Sequence, residues 1–255
     1  MINTHSKSSI FFITLDRIEK KNALNDEMVD ALKLQFKRAF DDETIKIIVL
    51  EANGDVFSAG ADLEYLQKLQ QNSLAENEAD SSSLAELFQM IYEGPKVVIA
   101  AVQGHAIAGG CGLATVCDFC FAAEDAKFGY TEVRIGFIPA IVSYYLTRKI
   151  GETKSKELLL TGALITAEQA QKIGMINYVV KGNELKMEVE TFANQIALNC
   201  SAQALDKTKE LIRTVQSLDT HTAMEYAAQM NAKARATEDC KKGISAFLNK
   251  EKVQW

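Results

Sequence analysis

"KVVIAAVQGHAIAGGCGLATVCD", residues 96–118, decides how this chain is read. Its opening, up to Val102, is apolar and rich in β-branched residues, the composition of a strand buried on both faces. From Cys111 the residues are small and apolar, and they read as a buried helix that runs on into another strand. Between these two pieces Gly104, Gly109, Gly110 and Gly112 strip the backbone of side chains. Glycine lets a backbone approach a ligand closely, and the unpaired N–H groups at a helix start point outward. Residues 97–117 are almost uncharged and long enough to raise a membrane span. The glycines, with Gln103 and His105, interrupt that run, so a buried strand, loop and helix is the reading.

Several known loops do not fit. Gly110 and Gly112 lack a third glycine three residues on, and this strand is not the first in the chain, so a dinucleotide fingerprint fails. No Lys-Ser or Lys-Thr follows the glycines, so a phosphate loop fails as well. A tight helix–strand contact remains the purely structural alternative. Cys117-Asp-Phe-Cys120, with Cys111 nearby, has redox or zinc spacing, but there is no second such pair and His105 is the only neighbouring histidine. Buried small thiols are the better reading. His5 and His221 lie in polar surroundings, and no Gly-x-Ser-x-Gly elbow is present for a serine hydrolase.

Outward from this stretch the chain alternates strand and helix. "SIFFITLD" and "IKIIVLEA" read as strands. "NDEMVDALKLQFKRAFDD" places Met28, Leu32, Phe36 and Phe40 on one helix face, with Asn25 as its N-cap. "QQNSLAENEADSSSLAE" is polar and reads as a mobile loop or frayed helix end. "AKFGY" and "VRIGFIPA" are short extended or turn pieces. "SYYLTRKIG", "SKELLLTG" and "AEQAQKIG" are helical, "MINYVV" is a late strand, and residues 184–255 are nearly all helical. The fold class is therefore α/β (α+β), a core over 1–183 followed by a helical region over 184–255.

Composition narrows the function. The 255 residues are 47% hydrophobic and 24% charged, with a net charge of -6, so a basic nucleic-acid footprint is absent and no membrane-surface run is seen. Five scattered cysteines do not make a disulfide framework, and "MINTHSKSS" is not a signal pattern, so a reducing cytoplasm is expected.

A second loop, "FSAGADLE" at 57–64, has the character of the first: small residues just before a helix. Two such loops, each after a buried strand, can aim backbone N–H groups at one oxygen, an oxyanion hole made without side chains. With these residues in hand the chain resembles the crotonase superfamily, the enoyl-CoA hydratase/isomerase family, nearly end to end. "DRIEKKNALN" resembles that family's early Arg-Pro-x-x-x-Asn-Ala-Leu segment, with Ile18 in place of proline. "FSAGADL", "KVVIAAVQGHAIAGGCGLATVCD", "AKFGYTEVRIGFIPA", "LLLTGALITAEQAQKIGMINYVV" and "EDCKKGISAFLNK" resemble later segments.

The resemblance implies a crotonase-like spiral of β-β-α units, with the C-terminal helices forming a homotrimer commonly stacked into a hexamer. It implies an acyl-CoA thioester substrate and no metal or redox cofactor, coenzyme A being part of the substrate. The thioester oxygen would be held by the N–H groups of Ala61 and Gly109, which stabilise an enolate more than the starting carbonyl. Ala59, Asp62, Leu63, Gly110 and Gly112 would border substrate or CoA, and Lys20, Lys21 and Lys250 are candidates for its phosphates, with solvated surface lysines as the alternative.

Two-glutamate hydratases of this family carry one glutamate in the glycine loop and one further on. Matching motifs, the first falls at Gly112 and is absent; the second falls at Glu132 and is present. One carboxylate can shuttle a proton between two carbons of a thioester, as an isomerase does, or orient a water and protonate C2, as a hydratase does. An apolar pocket would raise its pKa. Gly112 and "PAIVS" at 139–143 further resemble 3-methylglutaconyl-CoA hydratases, whose branched, carboxylated substrates arise in leucine and acyclic terpene breakdown. A substrate carboxylate would be repelled by a second buried glutamate, and glycine removes that charge and opens volume. Arg134 and His105 are candidates to pair with it, a structural ion pair being the alternative for Arg134. Tyr130, Tyr144 and Tyr145 would orient water or line the acyl pocket, or simply pack. A hydro-lyase is thus the first expectation, a Δ3,Δ2-enoyl-CoA isomerase the second, and a CoA-thioester-binding oligomer without catalysis the third.

Overall fold

Strand β1 (Ile2–Lys7) turns back on β2 (Ile10–Leu15) as an antiparallel hairpin, with Ile2 opposite Leu15 and Lys7 opposite Ile10. This computed structural model describes residues 1–253 and 255, and the side chain of Leu63 lies outside the described residues. Helix α1 (Asp26–Asp41) follows. The Asn25 side chain caps it by accepting the Met28 N–H at 3.0 Å, and Met28, Leu32 and Phe36 bury the inward face. Full burial of each such side chain stabilises the fold by about 1.5–3 kcal/mol.

The remaining strands come in pairs. Pair β3 (Ile47–Ala52) and β4 (Val56–Ser58) precedes helices α2 (Leu63–Leu69) and α3 (Leu74–Glu93). Pair β5 (Val97–Val102) and β6 (His105–Ile107) precedes α4 (Gly109–Val116). Pair β7 (Phe119–Ala123) and β8 (Lys127–Gly129) precedes a 3-10 turn at Glu132–Ile135 and α5 (Ala140–Thr161). In each pair the first strand joins a larger sheet and the second a smaller one. Then come β9 (Ile165–Thr166), α6 (Ala167–Lys172) and β10 (Tyr178–Val180). The larger sheet runs β1-β2-β3-β5-β7-β10 and the smaller β4-β6-β8-β9. This is the spiral of β-β-α units that the sequence predicts.

The larger sheet is covered on both faces, which is why β3 and β5 read as continuous apolar runs. One face meets α1, α3, α4 and the smaller sheet. The other is covered by α7 (Leu185–Asn199), whose Leu185, Val189, Ala193 and Ala197 pack with Phe12, Val49 and Ile99. Helix α7, the first of the C-terminal helices, thus packs directly on the core sheet. Helices α8 (Ala202–Val215) and α9 (Thr220–Arg235) bury no residue fully, and α10 (Glu238–Asn249) buries only Ala246. Among the described residues no helix is long and apolar enough to cross a membrane.

Two elements differ from the sequence reading. Residues 74–93 form the continuous helix α3, where the sequence reads as a mobile loop or frayed helix end. The Ser73 hydroxyl accepts the Glu76 N–H at 3.3 Å and the Glu76 carboxylate accepts the Ser73 N–H at 2.7 Å, a capping box that starts the helix. Its anchor lies late, in Leu87, Phe88 and Ile91, beyond the polar run. Strand β1 was not foreseen because an edge strand with one polar, solvent-facing side lacks an apolar signature.

Candidate active site

Three parallel strands of the smaller sheet end side by side. Ser58 of β4 pairs with Ala106 of β6, and Ile107 of β6 pairs with Gly129 of β8. Neighbouring strands lie about 4.8 Å apart. The segments that leave them, residues 59–62, 108–110 and 130–132, therefore emerge next to one another at the carboxyl edge of the sheet, where ligands of parallel sheets bind. The chain reaches this edge by short turns, so the backbone itself lines it.

The first segment is pinned. Leu24 N–H donates to Gly60 C=O at 2.6 Å and Asp62 N–H donates to Leu24 C=O at 2.9 Å. This parallel bridge between Leu24 and Ala61 uses the flanking groups and turns the Ala61 N–H to the opposite side. Asp62 then caps α2, accepting the Glu64 N–H at 2.9 Å, and its other oxygen pairs with Arg17 Nη1 at 2.7 Å. Burial alone would raise the Asp62 pKa, but the Arg17 guanidinium and the two N–H groups of α2 hold it below the usual aspartate range.

The second segment carries strain. Ala108 has φ 50° and ψ -124°, a left-handed conformation that a residue with a Cβ adopts at a cost of about 1–3 kcal/mol. Its N–H donates to Gly129 C=O at 2.7 Å, which fixes the turn. Gly109 follows as the first residue of α4, with an N–H that has no intrahelical partner. Among the described residues neither the Ala61 nor the Gly109 N–H has a backbone acceptor. Gly60, at φ +91°, brings the loops together: a Cβ there would lie 2.9 Å from both Ala108 Cβ and Ile107 C=O. Gly110 does the same against Ser58, whose Cβ would lie 2.5 Å away. The glycines thus serve both readings at once, close packing and bare backbone.

The third segment supplies the titratable group. Glu132 opens the 3-10 turn, is 9% exposed, and its Oε2 is buried without a hydrogen-bond partner. Burial pushes its carboxyl above the ordinary glutamate value, against a smaller lowering from its own backbone N–H. A desolvated carboxyl with an unpartnered oxygen thus opens the third of the three segments that leave this sheet edge.

The family model for enoyl-CoA hydratase/isomerase matches residues 5–255. The chain belongs to the enoyl-CoA hydratase/isomerase family. A Thermus thermophilus relative that carries the enoyl-CoA hydratase name is 38% identical over 96% of both chains. The crotonyl-CoA hydratase of Syntrophomonas wolfei is 34% identical over 100% of this chain and 96% of its own. The crystal structure of an enoyl-CoA hydratase from Shewanella pealeana superposes with a TM-score of 0.95 at 29% identity, covering 100% of this chain and 95% of that one. The chain is an enzyme of this family, and its fold is theirs.

Other sequence candidates fall in different places. Gly112 does not open volume. A Cβ there would lie 2.3 Å from Val142 Cγ1 and 2.8 Å from Phe88 Cε2, so α5 and α3 already fill the space. Tyr130 is fully buried, with its hydroxyl 2.9 Å from that of Thr115, and supports α4 from inside instead of lining a pocket. His105 is exposed at the start of β6, about 10 Å along the strand from Ala108. Arg134 is exposed, and its stem lies over Gly162, at the C-terminus of α5. Among the described residues neither forms a side-chain ion pair with Glu132. Tyr144 is exposed under Arg148, and Tyr145 packs on Phe88 and Tyr92.

Ala59 is half-buried and its N–H donates to Lys21 C=O at 3.0 Å. Lys20 is paired with Glu64 at 2.6 Å, while Lys21 and Lys250 are exposed with left-handed backbones. Leu63 begins α2, and its side chain lies outside the described residues. Cys111, Cys117 and Cys120 are buried, and burial pushes the thiols of Cys111 and Cys120 up to about 12. They are inert core thiols. Arg17, the arginine of the early motif, is given no role by the sequence; in the structure its pairing with Asp62 ties that motif to the first of the three segments.

Proposed function

We propose that this enzyme adds water across the double bond of a 2-enoyl-CoA thioester, using Glu132 as its one acid–base group. The thioester oxygen sits between the N–H groups of Ala61 and Gly109, which gain strength as the carbonyl becomes an enolate. Ionised Glu132 takes a proton from water as the water oxygen bonds to C3. The protonated carboxyl then returns a proton to C2, and the thioester carbonyl re-forms. Water is consumed, Glu132 is restored, and no metal or redox group is required. The observation that carries this reading is the buried, unpartnered Glu132 Oε2.

A second reading has its own support. With Val142 and Phe88 packed over Gly112, α4 presents no carboxylate at that position. A single glutamate can move a proton from C2 to C4 with no water added, as an isomerase does. Reaction in heavy-oxygen water separates the two: hydration carries the label into the product, and isomerisation leaves mass unchanged.

For the acyl group, the reading retained is 3-methylglutaconyl-CoA or a related branched diacid thioester. It rests on the resemblance at Gly112 and residues 139–143, and on the glycine at 112, which brings no carboxylate there to repel the substrate's own. Gly112 opens no volume for a branched chain, since Val142 and Phe88 fill that space. Faster turnover of crotonyl-CoA than of 3-methylglutaconyl-CoA would contradict it.

Ala59, Asp62, Leu63 and Gly110 border the proposed thioester and CoA path, with Lys20, Lys21 and Lys250 toward its phosphates. Self-association as a trimer or hexamer is supported by apolar side chains left in solvent on the last two helices: Met224, Ile244, Phe247 and Leu248. Five free thiols suit the cytoplasm.

A further inference from the structure

A cavity of about 370 Å³ lies at the opposite end of α4 from Gly109, closed by α5 and α8 and by the start of β5. Its volume falls at the small end of small-molecule sites. Much of its wall is apolar: Val97, Val116, Phe119, Leu205 and Ile212. Three cations also line it, Arg148, Lys149 and Lys209, against one carboxylate, Asp118.

That carboxylate is already spent. Asp118 Oδ2 accepts Lys209 Nζ and the Val98 N–H, both at 2.7 Å. Lys149 reaches only carbonyls, those of Thr115 at 2.6 Å and Cys117 at 3.0 Å, at the last turn of α4. Arg148 donates weakly to Arg213 C=O at 3.4 Å, and its buried Nε has no partner. Among the described residues no ion pair is formed by Arg148 or Lys149. Arg148 and Lys149 therefore line a largely apolar cavity without an ion-pair partner of their own: Arg148 lies over the Tyr144 ring at 5.2 Å, and burial pulls the Lys149 pKa down, with Asp118 only partly opposing it. An ammonium has three donors and a guanidinium five, so both groups retain unused N–H bonds.

We propose that this cavity binds a monocarboxylate with a short alkyl chain, its carboxylate on Arg148 and Lys149 and its chain against Leu205 and Ile212. A carboxylate matches the planar guanidinium fork. The apolar wall selects for a chain behind it, and a bare inorganic anion would leave that wall unfilled. The occupied site is separate from the proposed reaction, but α4 joins them. Its last turn forms one wall of the cavity, and its first N–H is that of Gly109.

The test is calorimetric titration of the full-length protein with octanoate, octan-1-ol and inorganic phosphate. Octanoate should bind more tightly than both others. Arg148→Met should weaken it about tenfold or more, the loss of one charge-assisted contact. Leu205→Trp, which fills the cavity and leaves the charges, should do the same. Equal binding of octanoate and octan-1-ol, or of octanoate and phosphate, overturns the proposal. So does octanoate binding that persists unchanged in both folded variants, or that crotonyl-CoA displaces competitively, which would place octanoate in the acyl site.

Discussion

A Cβ on Gly112 would lie 2.3 Å from Val142 Cγ1, so these two residues occupy one space. In sequence they lie thirty residues apart, in two separate segments, "GGCG" and "PAIVS". In the structure they are a single packing unit with Phe88. With that space filled by hydrocarbon, the proposed mechanism has Glu132 as its one acid–base group.

Gly112→Glu should therefore destabilise the protein by about 3 kcal/mol or more, from overpacking and an unpaired buried charge. Adding Val142→Gly should recover about 1 kcal/mol or more of that loss beyond additivity. Chemical denaturation of the single and double variants measures this coupling. Additive effects would separate the two positions.

Glu132 links catalysis to stability. Its raised pKa means the folded protein keeps a proton that the unfolded chain has released. Stability falls as pH rises from about 4.3, the unfolded value, through the folded value. Glu132→Gln removes that slope. Relative to wild type, the variant should gain thermal stability as pH rises from 4 to 7, and little below about 4.3. Melting temperatures across that range check it, and a variant less stable near neutrality would contradict the burial argument.

Asp62 has the opposite sign. Arg17 and the start of α2 lower its pKa, so its contribution is present above the unfolded value of about 3.9 and is lost as pH falls through the folded one. Asp62→Asn should cost about 1–3 kcal/mol at neutral pH and progressively less in acid. Arg17→Met should lower turnover too, because the bridge it supports turns the Ala61 N–H toward the site. Denaturation at two pH values, with steady-state kinetics, reads both.

Gly60→Ala tests the approach of the two loops. At φ +91°, with Ile107 C=O 2.9 Å from the new methyl, the loop must shift. Displacing one N–H donor should lower kcat by about 10²-fold with a smaller change in KM. An unchanged kcat would remove this contact from the oxyanion geometry.

Much of this was legible before the structure. The apolar runs at 47–52 and 97–102 and the Asn25 cap are local signals, and each falls where it was read; of the glycines, Gly109, Gly110 and Gly112 belong to α4 itself rather than to the turn before it. What stayed hidden depends on distant partners. Val142 beside Gly112, Tyr130 turned inward to Thr115, and Arg17 on Asp62 join residues from different turns of the spiral. No period or cap in one segment reports such a contact. The Ser73–Glu76 capping box was local, yet the polar run around it masked the signal.

The most direct test of the central claim is turnover of a 2-enoyl-CoA thioester in heavy-oxygen water by wild type and Glu132→Gln, followed by product mass. The account predicts that wild type incorporates one labelled oxygen per product, while the variant loses activity by about 10³-fold or more and still binds the thioester. Full activity in the variant, or a wild-type product of unchanged mass, would contradict single-glutamate hydration.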